Sequence, residues 1–154
     1  MDGGAAFYVK QGNVYILKLV GEIRYTMGCA LGDFLDSLFA RTDYDDILVD
    51  LTEVHSIDST SLGLLAKIAN FNHRRFARQT TLLSTNPDVN QILETMGFYE
   101  VFAVRDTGAA ITATLQPLST DGPCKDELPR IVFDAHPTLS ELNARNQEAF
   151  SGVL

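Results

Sequence analysis

The run from Ile47 to Phe76, ILVDLTEVHSIDSTSLGLLAKIANFNHRRF, constrains the fold of this chain more than any other stretch. Ile47-Leu48-Val49-Asp50-Leu51 is a compact apolar segment with the β-branched content of a buried strand. Thr52 to Ile57 is more polar and reads as a short connection. Asp58-Ser59-Thr60-Ser61 then gathers helix-capping side chains directly before a long segment of helical periodicity. In that helix Leu62, Leu65, Ala66, Ile68, Ala69 and Phe76 form the face expected to lie on a sheet. Leu64 and Phe71, one heptad apart, fall off the stripe and read as a partly exposed apolar strip. The basic run from His73 to Arg78 belongs at the helix C-terminus, where positive charge complements the dipole.

The rest of the chain supplies neighbours for this unit. Phe7 to Lys10 and Val14 to Val20, joined at Gln11-Gly12-Asn13 and closed by Gly21, read as an N-terminal hairpin. Met27, Ala30, Leu31, Phe34, Leu35, Leu38 and Phe39 recur at helical spacing, and a polar connector from Arg41 to Asp46 leads into the strand at Ile47. Thr80 to Ser84 is a further strand. Asn86-Pro87-Asp88 opens a helix with Val89, Ile92, Leu93 and Met96 on its inner face, stopped by Gly97. Phe98 to Val104 reads as strand and Thr107 to Leu115 as a short helix. This alternation predicts a single α/β domain over residues 1–115, a mixed sheet of about five strands flanked by helices. Residues 116–125, with Pro117, Gly122 and Pro123, read as a linker. Residues 126–154 read as a helical C-terminal extension whose Leu139, Leu142 and Phe150 would dock on the domain or build a homodimer.

Charge narrows the partners. A formal net charge of −8 argues against nucleic-acid binding, which needs clustered Lys and Arg, and favours a protein partner. No apolar run approaches the roughly 20 residues that span a bilayer. Met1 to Ala6 lacks the basic start and apolar core of a signal peptide, and Asp2 stands where myristoylation requires glycine. The expectation is a cytoplasmic protein with no membrane contact. Cys29 and Cys124 fit neither Cys-x-x-Cys nor zinc spacing and read as reduced thiols.

Catalytic constellations are weak. Ser59, His55 and Asp58 have the composition of a triad, but Gly-x-Ser-x-Gly is missing. Asp43, Asp45, Asp46 and Asp50 are better read as a solvated acidic connector than as a metal cage. Neither a P-loop nor Gly-x-Gly-x-x-Gly occurs, so no cofactor and no enzymatic activity is expected. What remains is the hydroxyl cluster Ser59, Thr60 and Ser61 at a helix N-terminus, where the dipole and free N–H groups favour a phosphoryl group.

Leu19-Val20-Gly21-Glu22-Ile23, the strand Ile47 to Leu51, the run Ile57-Asp58-Ser59-Thr60-Ser61-Leu62-Gly63-Leu64-Leu65, and Met96-Gly97-Phe98-Tyr99-Glu100-Val101-Phe102 together resemble the STAS domain of bacterial anti-sigma factor antagonists. The resemblance covers about residues 6 to 115. It implies a phosphoprotein working by partner switching in signal transduction and transcription regulation. Ser59 would be phosphorylated, with Thr60 and Ser61 as secondary candidates and Asp58 as the adjacent helix cap. The kinase would be an anti-sigma factor or switch protein that binds the unmodified form, and a PP2C-type phosphatase would reverse the reaction. Glu22, Arg24, Ser56, Thr60, Leu64 and Phe71 are the expected partner contacts. Ser61 stands where the family usually carries Gly, and Arg24 where it often carries an acidic residue. The alternative within the same resemblance is a constitutive scaffold subunit, as in stressosomes or lipid transporters.

Overall fold

A computed structural model describes residues 4–107 and 111–118. Its centre is a six-stranded mixed sheet in the order β5-β4-β3-β2-β1-β6. Strands β1 (Ala5–Gln11) and β2 (Val14–Ile23) form the expected antiparallel hairpin. A 3₁₀ turn, Tyr25–Met27, leads into helix α1 (Gly28–Ala40). Strand β3 (Asp46–Ile57), helix α2 (Ser59–Phe76) and strand β4 (Thr80–Leu83) follow. Helix α3 (Pro87–Thr95), the single turn α4 (Phe98–Val101), β5 (Phe102–Arg105) and β6 (Gln116–Leu118) complete the described chain. Strands β2 to β5 pair in parallel, while β1 is antiparallel to both β2 and β6.

The core forms where alternate strand residues meet the helices. Leu17 and Leu19 from β2, with Val49 and Leu51 from β3, are at most 2% exposed. The helical residues Leu62, Leu65, Ala66 and Ile68 lie in the same cluster. Fully burying one such aliphatic side chain stabilises the fold by about 1.5–3 kcal/mol. Asn72, buried in α2, donates from Nδ2 to Asp46 Oδ1 at 3.0 Å and so fixes the helix against the start of β3.

Five expectations are corrected. First, Thr52 to Ile57 is not a connection, because β3 continues through it. Strand β4 meets β3 only at Leu48 to Asp50, so the distal half of β3 pairs with β2 alone. Such a half-edge tolerates the exposed Glu53, His55 and Ser56 that gave the segment its loop-like composition. Second, Phe98 to Val101 is a helical turn rather than strand, because the buried rings of Phe98 and Phe102, four residues apart, stack with centroids 5.1 Å apart.

Third, the helix expected over 107–115 is absent at 111–115, and Gln116–Leu118, expected as linker, is a strand added beside β1. Two N–H groups, of Thr112 and Ala113, donate to Gln11 Oε1 at 2.8 and 3.0 Å, which holds this segment extended along the hairpin. Fourth, Leu64 is not exposed but 3% accessible. The strip it shares with Phe71 faces α1, where the Phe71 ring stacks on Phe39 with centroids 4.1 Å apart. Fifth, Cys29 is disulfide-bonded rather than reduced. Cys124, the rest of the linker and the 126–154 extension lie outside the described residues.

Candidate functional site

The site forms where β2 and β3 end side by side. Ile23 pairs with Ile57, and the Asp58 N–H donates to the Ile23 carbonyl at 3.1 Å, one step beyond the last pair. Asp58 then leaves the sheet with extended backbone, φ −90° and ψ 172°, and caps α2. Its Oδ1 accepts from the Ser61 N–H at 2.9 Å, and its Oδ2 accepts from the Tyr25 N–H at 2.5 Å. One carboxylate therefore satisfies a free donor of α2 and anchors the chain that leaves β2.

Backbone irregularity aims the neighbouring side chains. The β2–β3 register shifts between Lys18 and Val20 and again between Gly21 and Glu22. Gly21 occupies φ +85°, a conformation that other residues adopt only with strain, and so permits this bulge. Beyond it Glu22 stands opposite Ser56. Gly4 fits against the same turn, because a Cβ there would lie 2.3 Å from the Glu22 carbonyl oxygen. The Arg24 guanidinium donates to Glu22 Oε1 at 2.8 Å. Arg24 is held above its ordinary pKa first by that hydrogen bond and then by the Glu22 charge, with Asp58 as a further carboxylate in range.

The three hydroxyls separate by burial. Thr60 and Ser61 are 5% and 1% exposed, and the Ser61 Oγ is enclosed in the core without a hydrogen-bond partner. Ser59, the first residue of α2, is half-buried and reaches the surface. On the strand ends that adjoin its cap, Arg24 and Ser56 are exposed and Glu22 is half-buried. Thr60 and Leu64 are removed from the expected contact surface by burial. Phe71 lies three turns along α2, stacked on Phe39 and covered by the Arg75 guanidinium 5.5 Å from its ring centre. Arg75 also donates to the Phe39 carbonyl at 3.0 Å, so this end of the strip is a helix-to-helix joint.

Sequence reasoning missed Tyr25. It is 47% exposed, directly follows Arg24, and its backbone is held by Asp58. The signal was weak, because a 3₁₀ turn between β2 and α1 has no distinct periodicity. Aromatic residues at the centre of a polar surface are frequent anchors for protein partners.

The other constellations dissolve. Both Asp58 oxygens are committed to backbone N–H groups, so Asp58 does not orient His55. Asp43 pairs with Arg41, Asp46 bonds Asn72, and Asp50 accepts from the Thr52 N–H and hydroxyl. Among the described residues no group of His, Cys, Asp or Glu is placed to hold a metal ion. No helix among them is long and apolar enough to cross a membrane.

The model of one protein family, the STAS domain, matches residues 7–111, which contain the whole site. The chain belongs to the STAS domain family. The fold agrees with two solved structures. One is an anti-sigma factor antagonist from Mycobacterium paratuberculosis, 18% identical with a TM-score of 0.57, the match covering 69% of this chain and 88% of that one. The other is the Bacillus cell fate determinant SpoIIAA in its phosphorylated form, 14% identical with a TM-score of 0.53, covering 66% and 90%. No curated protein sequence matches the chain. In this STAS domain Ser59, half-buried, is the first residue of α2, capped by Asp58.

Proposed function

We propose that this STAS domain is an anti-sigma factor antagonist switched at Ser59. The unmodified form binds an anti-sigma factor or switch protein that is also a serine kinase, in the cytoplasm. Transfer of a phosphoryl group from ATP to the Ser59 Oγ, with loss of the hydroxyl proton, releases that partner. A PP2C-type phosphatase restores the hydroxyl. The chemistry belongs to the partners, and this chain is substrate and ligand.

The observation that carries the reading is the separation of the hydroxyls. Of the three, Ser59 alone keeps surface access, and it follows directly on Asp58, which fixes the helix start and bonds the backbone of the exposed Tyr25. The two solved relatives, an anti-sigma factor antagonist and a phosphorylated cell fate determinant, support it by what they are.

The physical chemistry is consistent with a switch. A phosphate adds about −1.5 to −2 charges at neutral pH. At the start of its own helix that charge is stabilised by about 0.3–1 kcal/mol, so modification leaves the fold intact and acts at the partner surface. Taking a complex from 99% bound to 1% bound requires about 5.5 kcal/mol. A bulky added dianion that leaves uncompensated negative charge in a desolvated interface supplies an effect of that order.

Phosphopeptide mass spectrometry, combined with a pull-down by Ser59→Ala and Ser59→Asp variants, tests the proposal. Ser59→Ala is expected to retain the kinase partner and Ser59→Asp to lose it with an unchanged circular dichroism spectrum. Equal retention by both variants, with no phosphate on Ser59 in extracts, would overturn the switch in favour of a constitutive scaffold.

A further inference from the structure

Arg24 occupies an unusual place. Its preceding neighbour, Ile23, accepts from the Asp58 N–H, and its following neighbour, Tyr25, donates to the Asp58 carboxylate. Arg24 is therefore held between two residues that both bond the cap of α2, and Ser59 is the next residue after that cap. Its guanidinium is two-thirds exposed and rests on Glu22, whose side chain is about half as exposed.

We propose that Arg24 is the internal receiver of the Ser59 phosphate, and that on phosphorylation it leaves Glu22 for the phosphate, uncovering the Glu22 carboxylate on the partner surface. This rests on Ser59 being the acceptor. Three features of the site argue for it. A phosphate on Ser59 stands next to the Asp58 carboxylate, whose oxygens are both already used, so an added dianion meets a fixed like charge and needs a nearby cation. Arg24 is that cation, since its guanidinium is already within electrostatic range of Asp58, the residue before Ser59. Between its two choices, the phosphate has roughly twice the charge of Glu22 and three acceptor oxygens in place of two, which suits the planar fork of a guanidinium.

The exchange changes the surface in two places at once. In the unmodified state Glu22 and Arg24 neutralise each other, and a partner meets Tyr25 and Ser59 beside a compensated ion pair. In the phosphorylated state the guanidinium is bound to the phosphate and the Glu22 carboxylate, opposite Ser56, loses its counter-charge. A partner surface complementary to the first arrangement then faces an uncompensated carboxylate as well as the phosphate. The charged groups linked to the start of α2 are Asp58, Arg24 and Glu22, and the titratable side chains of Tyr25 and His55 are exposed on the chain segments next to them.

The test uses the full chain with phosphoserine genetically encoded at position 59, so that it does not depend on any kinase. Its ³¹P resonance is titrated between pH 4 and 9 in otherwise unaltered protein, in Arg24→Gln and in Glu22→Gln. Loss of a unit charge at this range across a water-exposed surface is expected to raise the second phosphate pKa of Arg24→Gln by about 0.5 unit. Glu22→Gln, which removes the competitor, is expected to lower it. Circular dichroism of each variant checks that the fold is kept. Identical phosphate pKa values in the unaltered protein and a folded Arg24→Gln would overturn the proposal. That failure is distinct from failure of the switch itself, which is read from the phosphate content of Ser59 in cells.

Discussion

Replacing Asp58 by Ala removes two backbone contacts through one side chain, and the consequence is calculable. The bond to the Ser61 N–H is an N-cap interaction at 2.9 Å, and such caps contribute about 1 kcal/mol. The bond to the Tyr25 N–H is also charge-assisted but more exposed, and adds about 0.5–1 kcal/mol. Asp58→Ala should therefore cost about 1.5–2 kcal/mol. With a urea m-value of about 1.5 kcal/mol/M for a domain of this size, the unfolding midpoint should fall by about 1 M. Asp58→Asn keeps one carbonyl oxygen for the Ser61 N–H and presents an amide donor towards Tyr25. It should lose half as much, about 0.5 M. Equilibrium urea unfolding by circular dichroism measures both. A midpoint for Asp58→Ala within about 0.3 M of the unaltered protein, or equal midpoints for the two variants, would refute the account of Asp58 as a double anchor.

Three further outcomes follow from the same geometry. Leu64→Ala should cost about 2–4 kcal/mol in urea unfolding, as a buried leucine does, and a loss under about 0.5 kcal/mol would place Leu64 on the surface after all. Gly4→Ala should lower stability and shift the amide resonances of Glu22 and Ile23, because the added methyl meets the Glu22 carbonyl, and unchanged resonances would contradict that contact. Tyr44 is buried, its hydroxyl donates to the Leu38 carbonyl at 2.8 Å, and burial pushes its phenol up to about 12. Since the unfolded phenol ionises near 10, the unfolded state loses its proton first. Stability from this group is full below about pH 10 and declines between about pH 10 and 12, and Tyr44→Phe should flatten that part of the stability curve.

Local chemistry made part of this architecture legible from the residues alone. The cap Asp58, the amphipathic α2 and the Asn86-Pro87 start of α3 are set by short-range rules, and the structure follows them. The distal half of β3 was not legible, because its polar residues are tolerated only where β4 has already ended, and that is a fact of the sheet. Leu64 was misplaced for a similar reason. A helix lying on a sheet and against α1 buries a wider arc than its sheet-facing stripe, and the second contact is not visible in one helix's periodicity. The turn at Phe98 needed knowledge that Phe102 is its stacking partner. The resemblance pointed to Ser59, but the residues alone did not separate the three hydroxyls, since Ser59, Thr60 and Ser61 are similar as capping residues yet differ sharply in burial.

The arrangement around Ser59 also limits how a modification there can act. Helix α2 is capped, packed into the core along most of its length, and joined to α1 at its far end by Arg75. Nothing in it is poised to unwind when one surface hydroxyl gains a phosphate. The mobile quantity is charge. Glu22, Arg24 and Asp58 together carry one net negative charge before modification, and a phosphate brings it to about three. A rigid mount with a reversible surface charge suits recognition by rejection, in which the partner is displaced because its own complementary surface no longer fits. It also explains why the cation sits at Arg24 on the surface rather than within the cap: the cap must hold in both states, and only an exposed side chain is free to change partners.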